Sequence, residues 1–297
     1  MARAAESCVD IAHLQGRASE IISEITGAEA GYVTAGAAAG LMLGTAACIT
    51  RLDPVKMNAL PDLTGLKNEV VIARSHRNFY DKAVRSVGVT LVEVGLSDRH
   101  AGAGVRDAEP WEFGAAITER TALVLYVMND GMQPSLQEVI DVAHAAGVPV
   151  VVDAAAQAMP PSNLKKYIEM GADLVAFSGG KQIGGPQASG ILCGRKDLVG
   201  AAALQHLDQD IYWEQWAPPP QLIDKQRLVG TPHHGIGRTA KVGRETVVGL
   251  LVALKLFVDE DPTERWQRHL KHMEQLAAGL EPLKLLGQCD IIDFELW

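Results

Sequence analysis

The stretch around Lys181 has the residue types and spacing that amine chemistry needs. An apolar run at 173–177 leads into Ser178-Gly179-Gly180-Lys181, and a Gly-Gly-Pro turn follows at 184–186. A strand that ends in such a turn can present its lysine into a cleft, and the glycines let a ligand approach the backbone. A partly desolvated lysine amine is a nucleophile for Schiff-base formation. The alternative is an exposed lysine in an ordinary surface loop.

Asp153 is the second residue whose type and position predict chemistry. It follows the apolar strand predicted at 148–152 and lies 28 residues before Lys181. A carboxylate at the end of one parallel strand can hold a pyridine nitrogen protonated, while a lysine on a nearby strand end binds an aldehyde. Pyridoxal phosphate requires both groups, so the pair predicts this cofactor. A turn cap is the alternative role for a single aspartate after a strand.

Two further stretches follow predicted strands, at the edge where α/β folds bind ligands. Residues 35–40, Ala-Gly-Ala-Ala-Ala-Gly, separate a strand at 30–34 from a helix at 41–48, and the N–H groups of a helix N-terminus attract anions. Close helix packing explains the same small residues equally well. Residues 74–78, Arg-Ser-His-Arg-Asn, follow another strand and bring titratable groups to the same edge. A structural hydrogen bond is the alternative role for His76.

Strands and helices alternate along the chain in an order that can position these groups. Strands are predicted at 30–34, 69–73, 89–94, 123–127, 148–152 and 173–177, with an antiparallel partner at 189–193. Apolar periodicity predicts helices at 10–27, 41–48, 135–144, 164–170, 238–257 and 263–280. Loops are expected at 51–68, 97–110 and 206–237. The pattern indicates an α/β protein with a mostly parallel sheet and a domain boundary near residue 235.

Composition is that of an ordinary soluble globular protein. Of 297 residues, 47% are hydrophobic and 21% charged, and the formal net charge of -9 disfavours a nucleic-acid partner. No signal peptide or bilayer-length apolar stretch is recognisable, so we expect a cytoplasmic protein without a membrane partner. The cysteines lie at no metal-ligand spacing and are expected to be buried thiols in a reducing compartment. They are Cys8, Cys48, Cys193 and Cys289.

Several stretches, taken in order, resemble one enzyme family. They are residues 26–34, 74–78, 151–157, 178–181, 184–187 and 237–243. They resemble the large domain of fold-type I pyridoxal-phosphate enzymes of the aminotransferase class V kind. The nearer match is the selenocysteine-synthase-like (L-seryl-tRNA selenium transferase) group, which also contains the D-glucosaminate-6-phosphate ammonia-lyases. The resemblance implies a three-layer, aminotransferase-like large domain at 1–235 and part of a smaller α+β domain at 236–297.

The resemblance also assigns roles to the matching residues. Lys181 would carry pyridoxal phosphate as a Schiff base, and Asp153 would pair with the pyridinium nitrogen. His76, the third catalytic residue, would stack on one face of the ring, and Ala155 would pack under the other. Backbone N–H groups and one hydroxyl would bind the phosphate. These belong to Gly36, Ala37, Ala38 and Ser178.

A turn at 230–232, Gly-Thr-Pro, resembles the loop that reaches the neighbouring subunit's phosphate in class V enzymes. Thr231 therefore implies a site shared between subunits and a homodimer or a multiple of one. Family members usually have an additional N-terminal segment and a complete small domain, so we expect the chain to be a fragment that stops inside a strand at 293–297. Gln157 lies one residue further from Asp153 than the comparable glutamine of cysteine desulfurases and receives no role.

The activity implied is that of a lyase acting on a 2-amino-3-hydroxy acid, such as D-glucosaminate or its 6-phosphate. Arg77 and Arg238 are candidates for binding the substrate carboxylate or phosphate, and surface ion pairs are their alternative role. A selenium transferase acting on seryl-tRNA is the second hypothesis, and it would require an extended basic surface. A catalytically inactive homologue is the third, against which the intact Lys181 and Asp153 argue.

Overall fold

The computed structural model describes residues 1–96, 107–129, 131–207 and 212–280. The chain divides into two compact units, Met1–Lys255 and Leu256–Trp297. All the strands described below belong to the first unit. The division into a large domain at 1–235 and a small domain at 236–297 stays a prediction, and the strand expected at 293–297 lies outside the described residues.

One sheet contains the seven strands found in the described part of the chain. They are β1 (Ala30–Thr34), β2 (Glu69–Ala73), β3 (Thr90–Val94), β4 (Thr121–Val127), β5 (Val150–Asp153), β6 (Leu174–Ser178) and β7 (Gly190–Gly194). Their order is β1-β7-β6-β5-β4-β2-β3. Only β7 runs antiparallel to its neighbours, which are β1 and β6. The α/β class with a mostly parallel sheet is therefore confirmed, and the other strands all end at one edge of the sheet, the carboxyl edge.

The central strands are buried on both faces, as their sequences predict. All seven residues of β4 are buried, and β5 is a run of three valines before Asp153. Parallel strands covered by helices on both faces have such continuous apolar runs rather than alternating ones. These strands can therefore be recognised in the sequence without any knowledge of their neighbours.

Eleven α-helices occur in the described part of the chain. They are α1 (Ala2–Ala5), α2 (Ile11–Thr26), α3 (Ala37–Thr50), α4 (Pro54–Ala59), α5 (Asp81–Arg85), α6 (Pro110–Ala116), α7 (Leu136–Ala145), α8 (Asn163–Glu169), α9 (Lys196–Gln205), α10 (Arg244–Asp259) and α11 (Pro262–Leu280). Short 3-10 helices lie at Arg74–His76, Lys225–Arg227 and Ile236–Ala240. Helices α2 and α11 correspond to the predicted helices at 10–27 and 263–280 within about two residues.

Three helix predictions need correction. Residues 51–68 are not all loop, because Asp53 accepts hydrogen bonds from the N–H groups of Val55 and Lys56 and begins α4. Helix α6 was not expected, although Glu109 and Glu112 form a capping box at its start. Helix α10 begins at Arg244 rather than at residue 238, because a 3-10 turn precedes it. Most of the loop expected at 97–110 lies outside the described residues.

Strand β1 lies at an edge of the sheet, and side chains of α2 pair with its free side. The Gln15 amide donates to the Val33 carbonyl at 2.9 Å and accepts from the Val33 N–H at 3.1 Å. Ser19 Oγ accepts from the Gly31 N–H at 3.0 Å. These buried side chains replace the backbone groups of a further strand and leave no open hydrogen-bonding edge at these positions.

The described residues test three expectations from composition. Cys48 and Cys193 are buried free thiols, whereas Cys8 is exposed, which corrects the expectation of burial for that residue. Cys289 lies outside the described residues. Within the described ranges, no group of three or more metal-binding side chains occurs and no helix combines the length and hydropathy that a bilayer crossing needs.

Candidate active site

Asp153 occupies the carboxyl end of β5, and its side chain is buried. The residue is 7% exposed, and its Oδ1 accepts a 3.1 Å hydrogen bond from the Ala155 N–H. Burial raises the pKa of the Asp153 carboxyl, while the Ala155 N–H and the positive charge of Lys181 act in the opposite direction. Ala155 itself is half-buried and packs against the core. A buried carboxyl beside an amine is suited to hold a cationic ring nitrogen.

Lys181 lies three residues beyond the end of β6, the strand that neighbours β5. Its charge opposes the rise in the pKa of the Asp153 carboxyl, so the two residues predicted as a pair are within electrostatic range of each other, at the ends of neighbouring strands. The Lys181 side chain is exposed in the single chain, and its Nζ lies 5.9 Å from the centroid of the Tyr80 ring. The partial desolvation expected for this lysine is therefore absent from the single chain and would have to come from a ligand or a second subunit.

The glycines before Lys181 have a different role from the one expected. A side chain at Gly179 would come within 2.3 Å of Ser189 Oγ, and one at Gly180 within 2.7 Å of the Gln187 backbone. These two positions face protein atoms rather than an open cleft. The Gly-Gly pair therefore lets the lysine loop fold tightly against the segment before β7, and the approach of a ligand is not what requires it.

The residues predicted to bind phosphate come together at the carboxyl edge. Ser178 pairs with Gly190, and Gly190 pairs with Thr34 at the end of β1. A Cβ atom at Gly190 would lie 2.4 Å from the carbonyl carbon of Gly36 and 2.6 Å from the nitrogen of Ala37. The absence of a side chain at Gly190 thus lets the N-terminus of α3 approach Ser178.

The first turn of α3 is suited to an anion. Gly36 is its N-cap residue, with a φ of 127° that favours glycine, and it offers no side chain to cap the helix. The N–H groups of Ala37 and Ala38 begin the helix and point along its axis away from its carbonyl end. Their position beside Ser178 fits the predicted phosphate group of pyridoxal phosphate.

His76 ends the 3-10 helix after β2 and is 1% exposed. Its Nδ1 accepts from the Val127 N–H at 3.4 Å, and its ring meets Tyr126 edge-on at a centroid distance of 4.6 Å. Nε2 is buried without a hydrogen-bond partner among the described residues. Burial lowers the pKa of His76 to about 4, so the ring is neutral at pH 7. Because the ring offers no open face in the single chain, the stacking of His76 on a cofactor ring stays a prediction.

Arg77 is engaged in ion pairs with its own chain. Its Nε donates to Asp81 Oδ2 at 2.5 Å, and its guanidinium also bonds to Glu93. The hydrogen bond to Asp81 is the main cause that raises the pKa of Arg77. This arrangement corresponds to the alternative role for Arg77, an ion pair, and its role in substrate binding stays a prediction.

Thr231 and Arg238 lie in the segment between α9 and α10, in which Gly237 packs against Leu43 of α3. His233, two residues after Thr231, donates from its N–H to Asn58 in α4 at 2.7 Å. The 3-10 helix that contains Arg238 begins at Ile236, whose N–H donates to Gln205 in α9 at 3.1 Å. The structure thus anchors this segment on α4 and α9, and contacts of either residue with a neighbouring subunit stay a prediction.

Two residues near the site had not been expected from the sequence. Tyr80 faces Lys181, and Gln182 accepts hydrogen bonds from Ala158 and Met159 in the loop after Asp153. Tyr80 lies two residues after the stretch 74–78 and could have been found by extending it. Gln182 carries no signal in the sequence, because its partners are more than 20 residues away.

The strand order, together with an aspartate and a lysine on adjacent strand ends, defines the class as fold type I of the pyridoxal-phosphate enzymes. Residues 11–211 match the family model described as L-seryl-tRNA selenium transferase (SelA). The chain belongs to this family, whose members depend on pyridoxal phosphate.

The chain is similar to two curated proteins and to one solved structure. The chain is 35% identical over 265 residues to D-glucosaminate-6-phosphate ammonia lyase of Salmonella typhimurium (strain 14028s / SGSC 2262). The aligned region covers 86% of this chain and 61% of the relative. The chain is 31% identical over 293 residues to 5'-C-glycyluridine monooxygenase-decarboxylase of a Streptomyces species, and the alignment covers 95% of this chain and 63% of the relative. A solved structure of D-glucosaminate-6-phosphate ammonia-lyase superposes with a TM-score of 0.71 at 34% sequence identity. The superposition covers 88% of this chain and 62% of the solved chain. The chain therefore spans less than two thirds of each of these proteins.

Proposed function

We propose that this chain is a pyridoxal-phosphate-dependent lyase that converts a 2-amino-3-hydroxy acid into a keto acid and ammonia. The buried Asp153 carboxyl beside Lys181 is the observation that carries the proposal. The similarity to D-glucosaminate-6-phosphate ammonia lyase favours an amino-sugar acid, such as D-glucosaminate or its 6-phosphate, as the substrate. The net reaction removes the 3-hydroxyl as water, and one water then enters at C2 as ammonia leaves.

Pyridoxal phosphate, when bound, supplies an electron sink for the carbanion at the substrate Cα. Asp153 would hold the ring nitrogen in its protonated form, because a carboxylate accepts a charge-assisted hydrogen bond from it. His76 and Ala155 would border the ring. The Ser178 hydroxyl and the first N–H groups of α3 would bind the phosphate, since that helix end attracts anions.

Lys181 has two tasks in this proposal. Its Nζ would hold the cofactor through the cofactor aldehyde, and as a free amine it would take the proton from the substrate Cα. The same amine would then deliver a proton to the departing 3-hydroxyl. Arg77 and Arg238 are the proposed ligands of the substrate carboxylate or phosphate. The release of Arg77 from Asp81 and Glu93 would be needed for this role, so Arg77 is the weaker candidate.

We also propose a homodimer in which each site takes Thr231 from the second subunit. Exposed apolar side chains flank both of the surfaces that would meet. Phe79 is 91% exposed and precedes Tyr80, the residue that faces Lys181. Val229 is 87% exposed and lies two residues before Thr231. A two-fold axis would bring the Val229 segment of each chain to the Phe79 segment of the other and cover both.

A transferase acting on seryl-tRNA is the second candidate, because the family model carries that description. A net charge of -9 opposes it, since binding to many phosphates requires lysine and arginine side chains. An inactive homologue would lack cofactor binding or turnover altogether. The lyase and the transferase form different products, and an inactive homologue forms none, so assays of cofactor binding and of products separate the three cases.

The first experiment is a titration of the purified chain with pyridoxal phosphate, followed by visible absorbance. We expect a visible band from the bound cofactor in the wild type, its loss in Lys181→Ala, and much weaker binding in Asp153→Ala. Arg17→Ala, at an exposed residue of α2, is the control and should bind normally. A wild type that stays colourless at saturating cofactor would exclude the proposed function.

The second experiment measures products. The chain with pyridoxal phosphate is incubated with D- and L-forms of serine and threonine, with D-glucosaminate and its 6-phosphate, and with seryl-tRNA. We expect ammonia release from an amino-sugar acid and no oxygen consumption. Turnover of tRNA-linked serine alone would favour the transferase, and oxygen consumption would indicate chemistry closer to the monooxygenase-decarboxylase relative.

A further inference from the structure

Gln182, the residue after Lys181, joins the two loops that carry Asp153 and Lys181. Its side-chain oxygen Oε1 accepts a 2.7 Å hydrogen bond from the Ala158 N–H and a 3.2 Å hydrogen bond from the Met159 N–H. Both donors lie in the loop that follows Asp153. Two backbone donors thus converge on one oxygen next to the proposed catalytic lysine.

The link lies where the sheet no longer holds the two loops together. Strands β5 and β6 pair as far as Asp153 and Ala176, and the Ala154 N–H adds a 3.0 Å bond to the Ala176 carbonyl. Beyond these residues β5 leaves the sheet, whereas β6 continues beside β7 as far as Ser178. We name the two segments that follow the Asp153 loop (residues 154–159) and the Lys181 loop (residues 179–184). A side-chain bridge can fix the separation of these loops where strand pairing has ended.

Each loop is also closed by its own hydrogen bonds. In the Asp153 loop, the Gln157 N–H donates to the Ala154 carbonyl at 3.0 Å. In the Lys181 loop, the Gly184 N–H donates to the Lys181 carbonyl at 2.9 Å. Gln182 lies inside this second turn, so its side chain transmits the position of one closed loop directly to the other.

We propose that Gln182 is a positioning residue that sets the distance between the Asp153 carboxyl and the Lys181 amine for the cofactor. This inference rests on the proposed function, because a rigid pyridine ring must meet Asp153 and Lys181 at the same time. Loops that already have the required separation bind such a ring more tightly than loops that must first be ordered. Gln182 acts through its acceptor oxygen and touches neither the substrate nor the cofactor.

Two substitutions separate this role from a general contribution to stability. Gln182→Glu keeps an oxygen that can accept from both N–H groups, whereas Gln182→Leu keeps much of the volume and removes the acceptor. The side chain is exposed, so neither change opens a cavity in the core. Gln226→Leu, at an exposed glutamine of the 3-10 helix Lys225–Arg227, is the matched control.

The first measurement is hydrogen exchange of the Ala158 and Met159 amides in the chain without cofactor. We expect slow exchange in the wild type and in Gln182→Glu, and exchange about tenfold faster in Gln182→Leu, because the loss of one ordinary hydrogen bond has about this effect. The second measurement is the affinity for pyridoxal phosphate by absorbance titration. We expect about tenfold weaker binding in Gln182→Leu and near-normal binding in Gln182→Glu. The melting temperature should be unchanged in Gln182→Glu and should fall by no more than about 4 °C in Gln182→Leu, because one lost hydrogen bond costs about 1 kcal/mol.

The two measurements distinguish the failure of this inference from the failure of the proposed function. Equal cofactor affinity of Gln182→Leu and wild type would overturn the positioning role, as would equal amide exchange. A large fall in the melting temperature of Gln182→Leu would also overturn it, since the role would then be structural. If the wild type binds no cofactor, the proposed function fails, and the positioning role for the cofactor fails with it even where the exchange result shows the bridge.

Discussion

At the scale of single residues, Asp153 combines a functional position with a cost in stability. Its carboxyl is buried at a strand end, with one backbone N–H and the charge of Lys181 as compensation. Burial raises the pKa of Asp153, which means that the ionised form is less favourable in the folded chain than in water. A cationic ring nitrogen would remove this cost by pairing with the carboxylate.

We therefore predict that Asp153→Asn stabilises the chain without cofactor at pH 7 and weakens cofactor binding. A carboxyl with a raised pKa in the folded state contributes stability at low pH that is lost as the pH rises through that pKa. The gain from asparagine should shrink as the pH falls below the ordinary aspartate pKa of about 3.9, because aspartate is then protonated in both states. Calorimetric melting at pH 7 and at about pH 3, with a cofactor titration, tests this. A lower melting temperature than wild type at pH 7 would contradict it.

For His76, burial lowers the pKa, and its contribution to stability is lost at low pH rather than at high pH. Burial lowers its pKa to about 4, so the folded chain binds the proton less well than the unfolded chain does. Its contribution to stability is complete above the ordinary pKa of about 6.5 and decreases as the pH falls toward 4, by on the order of 3 kcal/mol in total.

We predict that His76→Asn reduces this loss of stability between pH 7 and pH 4.5. Asparagine keeps an acceptor for the Val127 N–H but does not titrate in this range. Urea unfolding of both proteins at a series of pH values gives the difference directly, and the other titrating groups cancel in the comparison. Parallel pH profiles for the two proteins would show that His76 is not the group responsible.

At the scale of elements, the sequence predicted most strands and missed short helices. The strands that surround Asp153 and Lys181 are continuous apolar runs, which can be recognised locally. Helix α4 has six residues and α6 has seven, too few for a clear 3.6-residue period. Their starts depend on the caps at Asp53 and Glu109, and such residues are equally common in loops.

Pairing of Gln15 with the edge strand β1 leads to a prediction at this scale. Val33 is fully buried, so Gln15→Ala would leave its N–H and carbonyl groups without partners. We expect a loss of about 3 kcal/mol in the free energy of unfolding, since each unpaired buried group costs about 1–3 kcal/mol. Denaturant unfolding measures this change.

Gln137→Ala is the matched control for that prediction. Gln137 lies on the exposed face of α7 and donates to Asp141 at 2.9 Å, one turn away on the same helix. Its loss should change stability by less than about 0.5 kcal/mol. If both variants lost the same stability, the bonds from Gln15 to the strand would not be what stabilises this edge.

At the scale of the whole molecule, the exposure of Lys181 and Phe79 supports a second subunit over the site. We predict that Lys181→Ala and Thr231→Ala chains complement each other when mixed and refolded together. A mixed dimer would contain one site with both intact residues, so about a quarter of all sites should regain tight cofactor binding at equal amounts of the two chains. Absorbance titration of the mixture, compared with each variant alone, measures it.

Two outcomes would contradict the shared site. If the mixture bound cofactor only as well as the average of its two components, each site would be built from one chain. A wild type that is monomeric in analytical ultracentrifugation with saturating cofactor would also contradict the shared site. Phe79→Ser gives an independent check, since it should weaken the dimer without lowering the stability of the single chain.

The sequence by itself determined the α/β class, the positions of the strands, and the identity of Asp153 and Lys181 as a pair. These features depend on local apolar runs and on residue types, which the order of the chain contains. The roles of Ser178 and Gly36 came from the resemblance, and their proximity came from the structure. That proximity depends on Gly190, whose lack of a side chain lets three strand ends and a helix meet.

Only the tertiary structure decided which contacts support the site. It showed that Gly179 and Gly180 pack against the segment before β7, that Arg77 is paired with Asp81 and Glu93, and that Gln182 bridges two loops. Each of these depends on a register between segments that are distant in sequence or on the course of a loop. Such placement is set by the packing of the whole sheet, and no periodicity within a short stretch of sequence records it.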